Sequence, residues 1–430
     1  MTSANLSSSH KYMFLTVSCP SFCSSIQFGQ METLVSLPLG DETSFSVLQQ
    51  DVDHEDSLIA SRDHALIRIN KTNGQMEVLA GQPDIGGYNL NLALLARFRY
   101  IDGILQRVTD LIVSDSGNHC LRRVDKRNFS TNRYAGLCLE PGDREGALLA
   151  ARLRLPKGLT FDPRNKNQAY LVTFHGDVYR LDLDKEQIWR WHQTALNSDG
   201  FGIAVEPVTF NIIITAPCHL IRIKDGREQI VKYTGRGFEE QCPSSFGIDF
   251  ITPSHLVAAG YHEDRLIHLD LSVGESDTIC IGRDGYNDGG IDVCELDSPI
   301  SVCALPDFIY IGESGTNGGG VRRLSYNTGP NNISMIKSMD LPTPQLPTTT
   351  RDKVIVTNTP SWSTDSTRSK PGDYPEVTRP KISSKSTTFV TNSSVVDHFT
   401  MNNSSQASVT EDMSIAPTVG ECLWLCYTMF

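Results

Sequence analysis

The chain has no apolar run long enough to cross a membrane. The nearest, Cys422-Leu423-Trp424-Leu425-Cys426-Tyr427-Thr428-Met429-Phe430, is less than half of the ~20 residues that a spanning helix needs. Cations are scarce. Its 38 Lys and Arg face 50 Asp and Glu, a formal charge of -12, which argues against holding nucleic acid through phosphate contacts. No Gly-x-Ser-x-Gly elbow of a hydrolase is present. The Gly-rich stretch Gly315-Thr316-Asn317-Gly318-Gly319-Gly320 lacks the Lys-Ser/Thr of a phosphate loop and reads as a turn. The 11 cysteines are spaced too widely for a zinc knuckle. A helical period is also missing; β-rich runs take its place.

What the chain has is repetition. Leu66-Ile67-Arg68-Ile69, Leu121-Arg122-Arg123-Val124, Val178-Tyr179-Arg180-Leu181, Leu220-Ile221-Arg222-Ile223, Leu266-Ile267-His268-Leu269 and Val321-Arg322-Arg323-Leu324 each carry a basic residue in third place. They recur every ~40–57 residues, near the period of a propeller blade. A β-rich run precedes each tetrad, as in Leu111-Ile112-Val113-Ser114 or Ile212-Ile213-Ile214-Thr215. Another follows most of them, as in Met76-Glu77-Val78-Leu79. A further run opens the units, clearest as Pro156-Lys157-Gly158-Leu159-Thr160-Phe161-Asp162, with relatives Phe201-Gly202-Ile203-Ala204-Val205 and Phe246-Gly247-Ile248-Asp249-Phe250. Four strands per unit and six units predict an all-β, six-bladed β-propeller. The sixth unit lacks an obvious outer strand. Gln30-Met31-Glu32-Thr33-Leu34-Val35 looks like the outer strand Gln75-Met76-Glu77-Val78-Leu79, so residues 31–37 are expected to close the ring, with Ile333-Ser334-Met335-Ile336 as the rival.

Leu111-Ile112-Val113-Ser114-Asp115-Ser116-Gly117-Asn118-His119-Cys120-Leu121-Arg122 resembles the NHL repeat: an apolar strand, an Asp–Gly–Asn–His turn, then a basic residue. Ala135-Gly136, Gly142-Asp143, Gly146, Ala150, Leu153 and Pro156 fit its interblade segment, as do Gly285-Tyr286-Asn287-Asp288-Gly289-Gly290, Leu296 and Pro299. The resemblance spans about residues 31–330. It implies a TolB-like six-bladed propeller of the extracellular type.

Cysteine placement and the tail bear on compartment. Cys120 and Cys218 occupy matching points in their units, and so do Cys138 and Cys242. The expected bridges are therefore Cys120–Cys138 and Cys218–Cys242, while any two of Cys280, Cys294 and Cys303 can pair. Such bridges require an oxidising compartment. Residues 331–420 are expected to form a disordered Ser/Thr/Pro-rich stalk, roughly a third Ser or Thr from Leu341 to Val419. Sequons stand at Asn70, Asn128, Asn332, Asn392, Asn402 and Asn403. Residues 1–30 hold one weak signal candidate, Lys11-Tyr12-Met13-Phe14-Leu15-Thr16-Val17. Residues 421–430 read either as a truncated transmembrane segment or as an apolar tail, so membrane attachment is expected only in the first case.

Catalytic chemistry finds little support. His64, His119, His175, His219 and His262 fall in turns between second and third strands. The turn is expected about 10–15 Å from the axis, given strands ~4.8 Å apart, which is too far out for shared ligation of zinc. Each is expected to serve its own turn. Asp102, Asp162, Glu206 and Asp249 lie at or near ends of innermost strands, where turn formation is the ordinary role. The expectation is an extracellular or cell-surface binding module without catalytic residues or cofactor, its partner a protein or glycan met by loops such as Gly81–Leu95 and Cys138–Leu149. The alternative is a propeller enzyme, a metal-dependent lyase or hydrolase with zinc or calcium in the channel.

Overall fold

In a computed structural model, residues 26–38, 41, 43–194, 201–233, 245–314 and 319–328 are described. They form six antiparallel sheets arranged as the blades of a propeller. Blade 1 runs Leu48–Gln50, Ser57–Arg62, Ala65–Asn70, Met76–Gly81, and blade 2 Ile101–Gln106, Asp110–Asp115, Cys120–Asp125, Thr131–Ala135. Blade 3 runs Pro156–Asp162, Asn165–Thr173, Val178–Asp182, Gln187–His192, and blade 4 Ile203–Val205, Ile212–Ala216, His219–Lys224, Arg227–Lys232. Blade 5 is Ser245–Phe250, His255–Gly260, Arg265–Asp270, Glu275–Ile279. Blade 6 takes Pro299–Ala304, Phe308–Glu313 and Gly320–Asn327 from the end of the propeller and its outer strand, Gln27–Ser36, from the beginning. That closing strand pairs Met31 with Leu324, Thr33 with Arg322 and Ser36 with Gly320. Closure by the N-terminal strand is as expected, with pairing that starts at Gln27. The rival strand 333–336, the Ser/Thr tail and the apolar C-terminus lie outside the described residues, as does Cys242.

Strand alternation explains why the blades stack. In blade 2, Val113 and Val124 face blade 1, where they join Ile59, Leu66, Leu79 and Ala80. Ile112 and Leu121 face blade 3 and join Leu159, Leu171 and Leu181. The same division holds around the ring. Six apolar clusters each fill one blade–blade interface, and the sixth joins Val321 and Tyr310 of blade 6 to Leu58 and Ile67 of blade 1.

The tetrad has a feature that its third-place cation does not reveal. The residues that organise the core are in second place. Arg122 and Arg322 are fully buried, and they hold two interblade segments in the same way. Arg122 donates to Asp115 (3.1 Å), to the carbonyls of Arg97 and Asn89 and to Thr131 Oγ1, with its guanidinium 4.2 Å from the Phe98 ring. Arg322 donates to Asp288 (2.6 Å) and to the carbonyls of Glu295 and Asn287, lies 3.6 Å from Glu313 and stacks 4.5 Å from Tyr286. The planar, multi-donor guanidinium suits this work because it satisfies several carbonyls at once. Third-place residues make shallower pairs: Arg68 with Asp51, Arg222 with Glu206 and Arg323 with Glu32.

Arg122→Met is expected to destabilise the fold by about 3–5 kcal/mol, because Asp115 is left buried without its cation. Adding Asp115→Asn should recover part of that loss. Urea unfolding of the two variants checks this, and equal destabilisation by both would remove the ion pair as the cause.

Candidate functional site: the mouth of the channel

Innermost strands begin, and the turns between second and third strands lie, at the same end of the propeller. At that end residues from the openings of four consecutive innermost segments meet side chain to side chain around the axis. Asp102 of blade 2 accepts Lys157 Nζ of blade 3 at 2.8 Å. Lys157 Nζ lies 5.0 Å from the Phe201 ring of blade 4. Phe201 packs at a tilt of 36° on Phe246 of blade 5, centroids 4.0 Å apart. Phe174 meets Phe201 edge-on at 5.4 Å, and Tyr261 lies 4.7 Å from Phe246. The result is an arc of four aromatic rings ending in a Lys–Asp pair, every member partly open to solvent.

Glycine makes the arc possible. Each of the four residues precedes one: Gly103, Gly158, Gly202 and Gly247. A Cβ on Gly103 would run into the Lys157 carbonyl, and one on Gly202 into the Phe246 carbonyl. Hydroxyls from the second strands secure the same carbonyls: Ser114 donates to Lys157 O at 2.6 Å and Thr215 to Phe246 O at 3.1 Å. The innermost strands are therefore drawn together, and their preceding side chains are set around the mouth.

The histidines are not a ring, and they do not share one repeat position. His64 and His119 stand just before their third strands, the place held by Asp264 in blade 5. Each of these three reaches the next blade and not its own turn. His64 Nδ1 accepts the Tyr100 N–H (3.1 Å), His119 Nδ1 that of Leu155 (3.2 Å), and Asp264 Oδ1 that of Ser298 (2.9 Å). Tyr100, Leu155 and Ser298 are left-handed (φ 63°, 46° and 50°) and each immediately precedes an innermost strand. The staple thus fixes the kink that delivers the next strand to the axis. His175 and His262 come two residues earlier than that position, are exposed, and lie edge-on to Phe174 and Tyr261 beside the aromatic arc. His219 belongs to its third strand. Partial burial holds His64, His119 and His219 below the ordinary imidazole range.

No protein-family model matches the sequence, and no curated protein does. Structural likeness is broad. An auxiliary nutrient binding protein from Bacteroides thetaiotaomicron VPI-5482 is similar with a TM-score of 0.53, 11% identity, 70% of this chain and 77% of that one. A protein of unknown function from the same organism gives 0.51, 12%, 70% and 77%. An auxiliary nutrient binding protein from Bacteroides ovatus ATCC 8483 gives 0.50, 13%, 70% and 78%. At such identities the likeness shows the fold. The chain is a six-bladed propeller. Its NHL resemblance rests on the residues quoted above.

The remaining candidates are dispersed. Asp162 and Glu206 sit at the far end of their blades, paired with Arg164 and Arg222, and Asp249 accepts the Ala304 N–H. Asp102 is at the mouth, so the four carboxylates form no ring. Among the described residues, no group of three or more His, Cys, Asp and Glu is arranged to hold a metal ion. At the far end, a cleft of ≈ 270 Å³ between blades 1 and 2 is crossed by the Arg68–Asp51 and Lys126–Asp53 pairs, which occupy both of its carboxylates. Cys120 is bridged to Cys138 and Cys280 to Cys294. Cys218 is disulfide-bonded, and Cys303 is a buried thiol. Asn128 is exposed and Asn70 half-buried; the other four sequons lie outside the described residues.

His64→Ala and His119→Ala should each cost about 1 kcal/mol, one buried acceptor apiece. His175→Ala and His262→Ala should stay within about 0.5 kcal/mol. Because the folded pKa of His64 and His119 is lowered, the unfolded chain takes protons first, at about pH 6.5. Their contribution is therefore full above that pH and falls as pH drops toward the folded values. The double variant His64→Asn/His119→Asn should lose less stability than the parent between pH 7.5 and 5.5. Urea midpoints at the two pH values measure it, and an unchanged slope would refute the assignment.

Proposed function

We propose that this chain is an extracellular binding module that takes a saccharide at the mouth of its channel. The observation that carries the reading is the arc Phe174, Phe201, Phe246, Tyr261 with Lys157 and Asp102 at its end. Sugar rings present C–H faces that pack on aromatic surface, and hydroxyl edges that need charged or amide partners close by. An apolar concavity with a few convergent polar groups is the usual form of a ligand site. The arc faces solvent at an end where the turns differ from blade to blade, so specificity resides in those differences. Export is supported by the bridges Cys120–Cys138 and Cys280–Cys294, by the bonded Cys218 and by the exposed sequon at Asn128.

The full chain, secreted from a glycosylating host, should bind a subset of sugars on a glycan array. Phe201→Ala/Phe246→Ala should lower affinity for those sugars by about 30- to 1,000-fold, as loss of two packed aromatic anchors does. Lys157→Met should alter which sugars bind more than how tightly. Silence of the parent on the array, or undiminished binding after loss of both rings, would overturn the reading.

A further inference from the structure

The segments that lead into blades 2 and 6 are built alike. Gly87-Tyr88-Asn89 corresponds to Gly285-Tyr286-Asn287, and Arg97 to Glu295. In each, the chain doubles back as a hairpin: Gly87 N–H meets Phe98 O and Gly285 N–H meets Leu296 O, Arg97 N–H meets Asn89 O and Glu295 N–H meets Asn287 O. A buried guanidinium from the following blade, Arg122 or Arg322, holds both carbonyl pairs. The tips differ. Where the second hairpin carries Asp288, Gly290, Asp292 and Val293, the first carries Leu90, Leu92, Leu94 and Leu95, which are 41%, 54%, 50% and 59% exposed. Since Asp288, Gly290 and Asp292 complete the same scaffold, packing within the propeller does not require leucine there.

We propose that this leucine hairpin is a self-association surface, through which a second copy of the chain docks about a two-fold axis. Two observations favour a second copy as occupant. Between Gly81 and Phe98 the only charged residues are Asp84 and Arg97, which cancel. In a chain of net charge -12, this patch meets its own image without like-charge repulsion, and a two-fold contact requires such self-complementarity. Its size also fits. With Ile85, 51% exposed, the hairpin offers roughly 500 Å² per copy, so a symmetric pair buries ~1,000 Å², the lower limit for a specific and reversible interface. The surface is set rigidly. Leu92 bridges to Ser130, Ala93 N–H donates to Phe129 O at 3.0 Å, and Arg97 donates to Leu94 O (2.8 Å) and Ala96 O (2.7 Å). A contact so near the sequon Asn128 competes with any glycan carried there.

Sedimentation velocity of the full chain and of Asn128→Gln, from about 1 to 100 μM, tests the proposal across the range in which an interface of minimal area assembles. The expected result is a mass that doubles with concentration, at least in Asn128→Gln. Leu92→Asp/Leu94→Asp placed in that background should remain single, with its thermal midpoint unchanged because the replaced side chains are exposed. Val273→Ser, at an equally exposed apolar residue on blade 5 (66%), should still double. A single species in both parents overturns the proposal, and so does doubling that survives the two aspartates. A parent that stays single but co-floats with phosphatidylcholine vesicles overturns it in favour of a lipid surface.

Discussion

A propeller blade cannot hide both faces of its own sheet. Each sheet here is apolar on two sides, and each side is covered only by a neighbour. The ring must therefore close, and closure depends on one pairing between distant parts of the chain. Gln27–Ser36 lies against Gly320–Asn327, reinforced by Glu32 with Arg323 and by Thr33 with Asp288. That strand also completes the interface of blade 6 with blade 1, since Val35 and the following Leu37 belong to its core beside Tyr310 and Val321. Opening it would bare two apolar faces at once. Such an arrangement makes the blades stable together, with little stability available to any one alone.

Within the ring, delivery of each chain segment to the axis is a separate problem. The backbone must cross from the outer rim of one blade to the centre of the next, and on entering blades 2, 3 and 6 it does so over a left-handed residue. Three times the preceding blade supplies an acceptor for that residue's N–H: imidazole twice, carboxylate once. Imidazole serves only while neutral at Nδ1, and burial keeps it so. The buried arginines do the corresponding work at the rim by holding the carbonyls of the crossing segment. Both devices spend polar groups on joining blades, which leaves few of them for chemistry.

The fold was legible because its signal is periodic. Every tetrad occupies a third strand, and the likeness of residues 30–35 to residues 75–79 located the closing strand. Face and direction were not legible. Third-place cations recur more often than second-place ones, yet Arg122 and Arg322 carry the burial, because alternation places second position toward the preceding interblade segment. The histidines looked equivalent by their spacing from the tetrads, but turns of unequal length shift His175, His219 and His262 off the stapling position. Phe201 and Phe246 were visible as relatives of Lys157, each before a glycine. What concealed their role is that the mouth is formed by residues from different repeats, and contact between repeats leaves no local pattern.

Repetition itself separates scaffold from function. A residue that recurs, such as the glycine after each mouth position or the Tyr-Asn of the two hairpins, answers a demand of the frame. A residue that departs from its equivalents without disturbing the backbone answers something else. At the mouth, one position holds Asp102, Lys157, Phe201 and Phe246 on four neighbouring blades, and the strands still approach alike. In the hairpins, leucine replaces aspartate under the same backbone hydrogen bonds. Exposed apolar side chains in a frame that accepts polar ones oppose solubility. These are the residues on which we rest the proposed sugar site at the mouth and the proposed contact at the rim.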